Sequence, residues 1–388
     1  DSVQENVQAM RVVKSYVRED YEKKKFGAAA EDVCKDFTRA ERIMAINNPM
    51  MQFCVYAGMV FVLSFGSYAV ISSQGLEVNV GQMSAIITYS FQILMSLMML
   101  SMVFVMITMS MESAERIVEV LQEQSTLTSP EKAVKEVKDG SIDFDGVSYK
   151  YSRTAERNAL EHVDLHIRSG ELIGILGGTG SSKTTLVQLI PRLYDVTEGA
   201  VRVGGVDVRN YDLETLRDNV AMVLQKNVLF SGTIKDNLRW GNPNATDEEM
   251  YEACRLAQAD EFIQQFPDKY DTWIEQGGSN VSGGQKQRLC IARALLKKPK
   301  VLILDDSTSA VDTHTDALIR QGFREFIPDT TKIIIAQRVA SVEDADRIIV
   351  MDGGRISAIG THEELLKRNE IYREVYTSQT KAGDHDEA

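Results

Sequence analysis

The stretch LIGILGGTGSSKTT, residues 172–185, places an apolar run directly before a glycine-rich turn that ends in Lys and Thr. The run predicts a buried strand, and the residues after the turn, TTLVQLIPRL, predict a helix. In such a unit, backbone N–H groups face a phosphate, the Lys ammonium reaches the terminal phosphates, and the Thr hydroxyl binds Mg²⁺. We therefore expect a phosphate-binding loop made of Gly177, Gly178, Thr179, Gly180, Ser181, Ser182, Lys183, Thr184 and Thr185.

A second apolar run, LILDD at residues 302–306, ends in two adjacent carboxylates. The continuous apolar character from Val301 to Leu304 is typical of a central parallel strand that is covered on both faces. Such a strand would bring Asp305 to the phosphate loop, where its carboxylate can hold Mg²⁺ and its water. The two runs together predict a P-loop ATPase with ATP and Mg²⁺ as cofactors.

The stretch NVSGGQKQRLCIARALLKKPK, residues 280–300, predicts a second phosphate-facing helix end. Ser282 stands where a helix N-cap belongs, Gly283 and Gly284 let the backbone approach a ligand closely, and an amphipathic helix follows. A hydroxyl and a helix N-terminus together favour an anion. One domain cannot easily wrap both ends around one nucleotide, so two domains facing head to tail is the expected arrangement.

Two long uncharged stretches precede this domain. No charged residue occurs between Arg42 and Glu77, or between Glu77 and Glu112, and each stretch exceeds the roughly 20 apolar residues that cross a bilayer. We expect membrane spans at about 48–73 and 82–110, with both outer ends in the cytosol because Arg39, Arg42 and Arg116 flank them. Methionines crowd the second span and could line a permissive ligand path, although ordinary packing or lipid contact is the simpler explanation.

The remaining segments complete the domain organisation. Residues 2–33 show apolar positions at helical spacing and predict one long amphipathic helix or a broken pair. Two spans alone enclose no pathway, so further spans are expected before residue 1. The predicted domains are a partial transmembrane domain at 1–125, a linker at 126–139 and a nucleotide-binding domain at 140–388.

Composition excludes some classes of function. The 388 residues carry a formal net charge of -13, which argues against a nucleic-acid surface because phosphate binding needs clustered Lys and Arg. The four cysteines are scattered without metal-binding spacing and are expected to be reduced thiols.

The motifs resemble those of the ATP-binding-cassette domain of an ABC exporter. They are GGTGSSKT, Gln225 in MVLQKNVLFSGTI, VSGGQ, LILDD, SAVD and IIIAQR, and the segment order is similar to that of an exporter half-transporter, with helices and spans before the cassette. The resemblance implies an α-helical transmembrane segment followed by an α/β P-loop ATP-binding-cassette domain, in the cell membrane with the cassette in the cytoplasm.

The resemblance also implies roles for individual residues. Tyr151 would stack on adenine, Gln225 would join Thr184 and Asp305 as a Mg²⁺ ligand and connect the metal to the membrane domain, and Asp312 would lie at a dimer interface. The segment REDYEKKKF, residues 18–26, would be a coupling helix that docks on a partner's cassette, unless it is a plain solvated helix face. The signature Ser282, Gly283, Gly284 and Gln285 would complete the other subunit's catalytic site.

Two catalytic positions depart from the family's pattern. Asp306 stands in place of the catalytic Glu, and Gln337 stands in place of the switch His. The shorter Asp withdraws its carboxylate by about one bond, and misplacement of about 1 Å can cost on the order of 10²-fold in rate. A Gln can still hydrogen-bond a phosphate but cannot carry the charge of an imidazolium. We therefore expect ATP binding without efficient hydrolysis at this site.

An intact signature beside a degenerate site resembles one half of a heterodimeric bacterial ABC exporter of the multidrug type. The expected partners are a second half-transporter with an intact Glu and His, the lipid bilayer, and a substrate that is a small molecule or a hydrophobic compound. Hydrophobic drugs, lipids and peptides all remain open as substrates. The alternatives are a slowly hydrolysing homodimer that uses Asp306 as the base, and a non-transporting regulatory subunit. An importer is disfavoured because importer cassettes are usually separate chains.

Overall fold

A computed structural model describes residues 2–74, 76, 78–152, 154–306 and 311–383. The chain divides into two compact units, Asp1–Gln124 and Ser125–Ala388. The first unit is helical and the second is a mixed α/β domain.

The first unit consists of long helices. They are α1 (Ser2–Ser15), α2 (Glu19–Ala45), α3 (Asn47–Ser72) and α4 (Val80–Gln122). The chain turns between α1 and α2, where Val17 has a φ of 52°. The amphipathic N-terminal stretch is therefore a broken pair of helices, the second of the two forms that its pattern allowed.

Two helical stretches, Glu19–Ser72 and Val80–Gln122, are long and apolar enough to cross a bilayer. The predicted spans at about 48–73 and 82–110 fall on α3 and α4, and α4 continues unbroken beyond Glu112. Asn79 begins α4 with a reciprocal cap, accepting from the Gln82 N–H at 2.8 Å while its own N–H donates to the Gln82 side chain at 3.0 Å. Hydroxyls inside the spans bond the preceding turn, as Ser110 does to the Met106 carbonyl at 2.9 Å, so these polar groups are satisfied within the helix.

The second unit contains two main sheets and surrounding helices. Its strands are β1 (Ile142–Tyr149), β2 (Leu160–Ile167), β3 (Leu172–Gly177), β4 (Glu198–Val203), β5 (Val206–Asp207), β6 (Val220–Val223), β7 (Gly232–Thr233), β8 (Trp273–Ile274), β9 (Val301–Asp305), β10 (Thr331–Ile335), β11 (Arg347–Asp352) and β12 (Arg355–Gly360). Its helices are α5 (Lys183–Gln188), α6 (Leu213–Asn219), α7 (Ile234–Arg239), α8 (Asp247–Leu256), α9 (Asp260–Gln264), α10 (Gly283–Leu295), α11 (Thr313–Phe326), α12 (His362–Arg368) and α13 (Glu370–Gly383).

The larger sheet has the strand order β12-β11-β3-β10-β9-β6. The pairs β11·β3, β3·β10, β10·β9 and β9·β6 are parallel, and only β12 runs antiparallel to its neighbour among these described strands. A smaller antiparallel sheet has the order β2-β1-β4-β5. Parallel strands place their carboxyl ends at one edge, which is where ligands bind in open α/β sheets.

Both faces of the larger sheet are covered, which explains the uninterrupted apolar runs of its central strands. Along β3, Leu172 and Leu176 join the core that includes α8, α10 and α11, while Ile173 and Ile175 join the core shared with the smaller sheet. Alternation along the strand sends successive side chains to opposite faces, so an all-apolar strand fills two cores at once.

The segment predicted as a linker, 126–139, packs on the second unit. The Val134 N–H donates to the Asn210 carbonyl at 2.9 Å, the Arg192 guanidinium donates to the Thr128 carbonyl at 3.1 Å, and Val137 is fully buried. Its Ser, Pro and charged residues indicated a chain without regular structure, but its contacts tie it to the α/β domain.

Candidate nucleotide site

Four loops converge at the carboxyl edge of the larger sheet. They follow the neighbouring parallel strands β3, β10, β9 and β6, and they line a cavity of about 310 Å³. The lining residues are Gly177, Thr179, Gly180, Ser182, Lys183, Thr184, Thr185, Gln225, Asp305, Asp306, Ile335 and Gln337. The topology thus brings residues from four distant parts of the sequence into one small polar cleft.

The glycine-rich loop forms a tight cradle around the Lys183 ammonium. The Nζ donates to the Gly177 carbonyl at 2.9 Å, to the Gly178 carbonyl at 2.8 Å and to the Ser181 hydroxyl at 3.2 Å. A Cβ at Gly177 would collide with the Met351 carbonyl oxygen on the adjacent strand β11, so only glycine lets the loop leave β3 at this point. Burial lowers the pKa of Lys183, while the nearby Asp306 and Asp305 carboxylates oppose that shift.

Ser182, where this type of loop usually has glycine, has a left-handed backbone. Its φ is 68° and its ψ is 25°, and its side chain makes no cap hydrogen bond to α5. A residue with a Cβ pays roughly 1–2 kcal/mol in this conformation relative to the right-handed one. Serine in place of glycine at position 182 therefore keeps the shape of the loop but strains the backbone there.

Thr184 and Asp305 form the part of the site that fits Mg²⁺. The Thr184 hydroxyl donates to the Asp305 Oδ1 at 3.0 Å, which joins the helix after the loop to the tip of β9. The other Asp305 oxygen, Oδ2, is buried and has no hydrogen-bond partner among the described residues. Burial raises the pKa of Asp305, and the neighbouring Asp306 charge adds to that rise. An unpartnered buried oxygen beside a hydroxyl suits a hard cation that prefers oxygen ligands.

Asp306 and Gln337 contact each other directly. The Gln337 Nε2 donates to the Asp306 Oδ2 at 2.6 Å, and Gln225 lines the same cavity. Burial raises the pKa of Asp306, while the hydrogen bond from Gln337 opposes the rise. Asp306 has a φ of 48°, a left-handed conformation that Asp tolerates better than most residues. The two catalytic positions that depart from the family pattern thus form one hydrogen-bonded pair.

The signature segment forms a regular helix cap, as its sequence predicts. The Ser282 hydroxyl accepts from the Gln285 N–H at 3.3 Å, and the Ser282 N–H donates to the Gln285 Oε1 at 2.9 Å. Ser282 and Gly283 are exposed at the N-terminus of α10, while Gly284 is half-buried. Among the described residues that line the cavity, none belongs to 282–285. This helix end is therefore separate from the Lys183 cavity within the chain.

Tyr151 belongs to an aromatic cluster beside the phosphate loop. Its hydroxyl lies 2.8 Å from the Thr185 Oγ1, and its ring packs edge-on against Tyr149 and Tyr194 at centroid distances of 5.0 and 5.5 Å. More than half of Tyr151 stays exposed, so it offers a ring face to a ligand. The sequence analysis missed Tyr194, which follows α5 as an isolated aromatic without a motif.

Asp312 and the other described part of the SAVD motif are not among the residues that line the cavity. Asp312 caps α11 by accepting from the Thr315 N–H at 2.9 Å and is exposed. The rest of the SAVD motif falls partly on residues 307–310, which lie outside the described residues.

Sequence reasoning also missed Gln379 on α13. Gln379 hydrogen-bonds the loop that carries Gln337, and no pattern in the sequence around it indicates this contact.

Family comparisons agree with this geometry. The model of the ABC transporter transmembrane region matches residues 1–98, and the ABC transporter model matches residues 160–309. A relative from Bacillus subtilis (strain 168), the uncharacterized ABC transporter ATP-binding protein YknU, is 37% identical over 97% of this chain and 64% of its own length. The putative multidrug export ATP-binding/permease protein YgaD of the same organism is 36% identical over 97% of this chain and 64% of its own.

A solved structure, that of a bacterial Atm1-family ABC exporter with ATP bound, is 29% identical and superposes with a TM-score of 0.88, covering 97% of this chain and 66% of the other. A helical transmembrane region followed by an ABC cassette defines the class. This chain belongs to the ABC exporter family, as a membrane protein with a cytoplasmic cassette. It spans about two thirds of the length of the relatives that it matches.

Proposed function

We propose that this chain is one subunit of a heterodimeric ABC exporter and binds ATP at a hydrolytically weak site. The observation that carries the proposal is the 2.6 Å hydrogen bond between Gln337 Nε2 and Asp306 Oδ2. A general base must accept a proton from an attacking water, and it must reach that water. Asp306 has a short side chain, and its carboxylate already accepts a hydrogen bond from the Gln337 amide.

ATP binding itself needs the groups that the cavity retains. Lys183 can exchange its loop carbonyls for the terminal phosphates, and the loop N–H groups can hold the phosphate oxygens. Thr184, Asp305 and Gln225 are the proposed Mg²⁺ ligands, and the bound ion would neutralise phosphate charge. The exposed Tyr151 ring is the proposed platform for adenine.

The signature end is the part that we assign to the partner's chemistry. Ser282 and the N-terminus of α10 are exposed, well ordered by their reciprocal cap, and lie outside the Lys183 cavity. A hydroxyl and oriented N–H groups at a helix end favour a terminal phosphate. The partner would supply the phosphate loop, the catalytic Glu and the switch His that face this helix end.

The exported compound is proposed to be small and hydrophobic. The span stretches 48–73 and 82–110 contain no charged residue, and the part of α4 from Met95 to Met109 is rich in methionine. Thioether side chains adapt to ligands of varied shape, and two of the relatives carry names that refer to multidrug export or resistance. The segment 18–26 begins at the break before α2 and is proposed as the coupling helix.

A homodimer that hydrolyses slowly is the second candidate. Asp306 has a carboxylate and lines the cavity with Lys183, so in this case Asp306 would act as the general base. In that case the signature of one copy would complete the Lys183 site of the other. The two candidates predict different activities for the chain when it is pure.

The test is nucleotide binding and turnover by the full chain, purified free of any second polypeptide. We expect the pure wild-type chain to bind ATP–Mg²⁺ and the Lys183→Ala variant to lose this binding. We expect the pure wild-type chain to hydrolyse ATP on the order of 10²-fold more slowly than the assembled complex. Lys298→Ala is the matched control, because it removes an exposed lysine of the same domain, paired with Glu249 at 2.6 Å. Rapid hydrolysis by the pure chain would contradict the degenerate-site proposal and favour the homodimer.

A further inference from the structure

The C-terminal helix α13 bonds the loop that follows strand β10. The Gln379 Nε2 donates to the Gln337 carbonyl at 2.8 Å, and the Gln379 Oε1 accepts from the Val339 N–H at 2.8 Å. One side-chain amide therefore bridges the backbone on both sides of Arg338. Its orientation is fixed by the partners, because a carbonyl can only accept and an N–H can only donate.

This bridge holds the loop in the way a neighbouring strand would. An amide side chain offers one donor and one acceptor, as a peptide group does, and here it pairs with one of each. Val339 is buried, so in the intact chain Gln379 is the group that satisfies its N–H. The loop geometry around Gln337 therefore depends on a residue in a helix far along the chain.

The loop passes this constraint to the cavity through the Gln337 side chain. Gln337 bonds Asp306 at 2.6 Å, and both line the cavity together with Lys183. Gln337, Asp306 and Lys183 therefore share one small cavity of about 310 Å³. In a phosphate loop the lysine meets the terminal phosphates. A change in the position of Gln337 should therefore alter the affinity for ATP, which carries the terminal phosphate, and leave the affinity for ADP nearly unchanged.

The near end of α13 is anchored independently of Gln379. Tyr372 is fully buried, its hydroxyl lies 2.7 Å from the His362 Nδ1, and its N–H donates to the Asn369 side chain at 2.8 Å. Gln379 lies two turns further along, between exposed Ser378 and Thr380. Loss of the Gln379 bridge should therefore release the loop without detaching the helix.

We propose that Gln379 is a positioning residue for the nucleotide site, and that α13 sets through it how tightly the site holds the terminal phosphate of ATP. The inference rests on the proposed function of the Lys183 cavity as an ATP site. Gln379 touches no reacting group and acts through the backbone of Gln337. Any partner or modification that shifts α13 at Gln379 would then change ATP retention.

The experiment measures ATP–Mg²⁺ and ADP–Mg²⁺ affinity by calorimetry on the full-length protein in detergent. The signal that disappears in Lys183→Ala belongs to this site. We expect Gln379→Ala to weaken ATP by about five- to tenfold, the range of a modest coupling between sites, and to leave ADP within twofold. Gln379→Glu has the same size and keeps the acceptor for Val339, but sets a carboxylate against the Gln337 carbonyl, so it should weaken ATP at least as much.

Thr380→Ala is the matched control, because this neighbouring hydroxyl bonds only within α13, to the Tyr376 carbonyl at 2.8 Å, in the contacts described. The decisive comparison is between Gln337→Ala and the double variant Gln337→Ala with Gln379→Ala. In the Gln337→Ala background, adding Gln379→Ala should not weaken the affinity for ATP any further. Equal weakening of ATP and ADP, an additive effect in the Gln337→Ala background, or wild-type affinities in both Gln379 variants would each overturn the inference. Absence of nucleotide binding in the wild-type protein would instead refute the proposed function and this inference with it.

Discussion

The Lys183 cavity and the signature helix end of this cassette differ in how their backbones are held. At the Lys183 end, Ser182 and Asp306 both have left-handed backbones, with φ of 68° and 48°. At the signature end, Ser282 has an extended backbone with φ of −68° and ψ of 162°, and a reciprocal cap satisfies both its N–H and that of Gln285. One end stores strain, and the other is a relaxed helix start.

The chemical difference follows the same division. The departures from the family pattern, Ser182, Asp306 and Gln337, all lie at the Lys183 end. The signature end retains its hydroxyl, glycines and glutamine in regular geometry. Strained residues persist only where surrounding contacts hold them, and Asp306 has such a contact in its hydrogen bond from Gln337. This division is the basis of the proposed function, in which the Lys183 end binds ATP and the signature end serves a partner's site.

The largest expected effect separates these two ends directly. In the assembled complex, Ser282→Arg should lower the ATPase rate by on the order of 10²-fold or more, since it removes one donor and crowds the helix end. It should leave ATP binding at the Lys183 site intact. Lys183→Ala should empty that site but leave part of the complex's activity. ATPase rate and transport in reconstituted complex are the measurements.

Thr361→Arg is the control for this pair, because Thr361 forms the same kind of reciprocal cap on α12, away from the cavity lining. It should leave the ATPase rate near that of the wild type. If Ser282→Arg proves milder than Lys183→Ala, the assignment of the working and the resting site is reversed.

The second prediction concerns repair of the Lys183 end. Asp306→Glu lengthens a carboxylate whose present position is fixed by Gln337 at 2.6 Å, so alone it should raise hydrolysis only modestly. The double variant with Gln337→His should gain more than the two single gains combined, on the order of 10²-fold, because contacting residues are not additive. A double-mutant cycle of ATPase rates tests this. Full activity from Asp306→Glu alone would show that Gln337 is no defect.

The third prediction uses the raised pKa of the buried Asp305. The folded chain binds a proton there more tightly than the unfolded chain, so ionisation above this pKa costs stability, and the cost disappears as the pH falls through it. Asp305→Asn should therefore raise the free energy of unfolding without Mg²⁺ at pH 7, by on the order of 1 kcal/mol, while Mg²⁺-dependent ATP binding is lost.

The increase in the free energy of unfolding caused by Asp305→Asn should shrink as the pH is lowered through the raised pKa of Asp305. Denaturant titrations at several pH values will measure this increase. Asp312→Asn is the control, because Asp312 is exposed and its hydrogen bond to Thr315 lowers its pKa. A destabilised Asp305→Asn chain at neutral pH would contradict the assignment of Asp305 as a costly buried charge.

The smallest expected effect is relief of strain in the phosphate loop. Ser182→Gly should stabilise the chain by roughly 0.5–1 kcal/mol, because glycine has no Cβ penalty at a φ of 68° although it adds unfolded-state entropy. Thermal unfolding of Ser182→Gly and Ser182→Ala provides the comparison. The Ala variant keeps the Cβ and should show no such gain.

The sequence by itself determined the segments whose physics is local. Apolar runs without charge defined the span helices, and the strand–glycine–Lys–Thr pattern defined the phosphate loop, because backbone conformation and burial at these places follow from adjacent residues. The Ser282 cap was equally local, since both of its hydrogen bonds join residues three apart. The fold class and the resemblance to ABC exporters followed from these motifs.

Only the tertiary structure decided which of these residues meet. Asp306 and Gln337 are bonded because β9 and β10 are parallel neighbours, a pairing that no local pattern encodes. Gln379 reaches the same loop from the far end of the chain, and its sequence surroundings are those of any polar helix. Local propensity depends on a few neighbouring residues, whereas these contacts depend on how the whole sheet and its covering helices bury their apolar faces, which is why they became visible only in the folded chain.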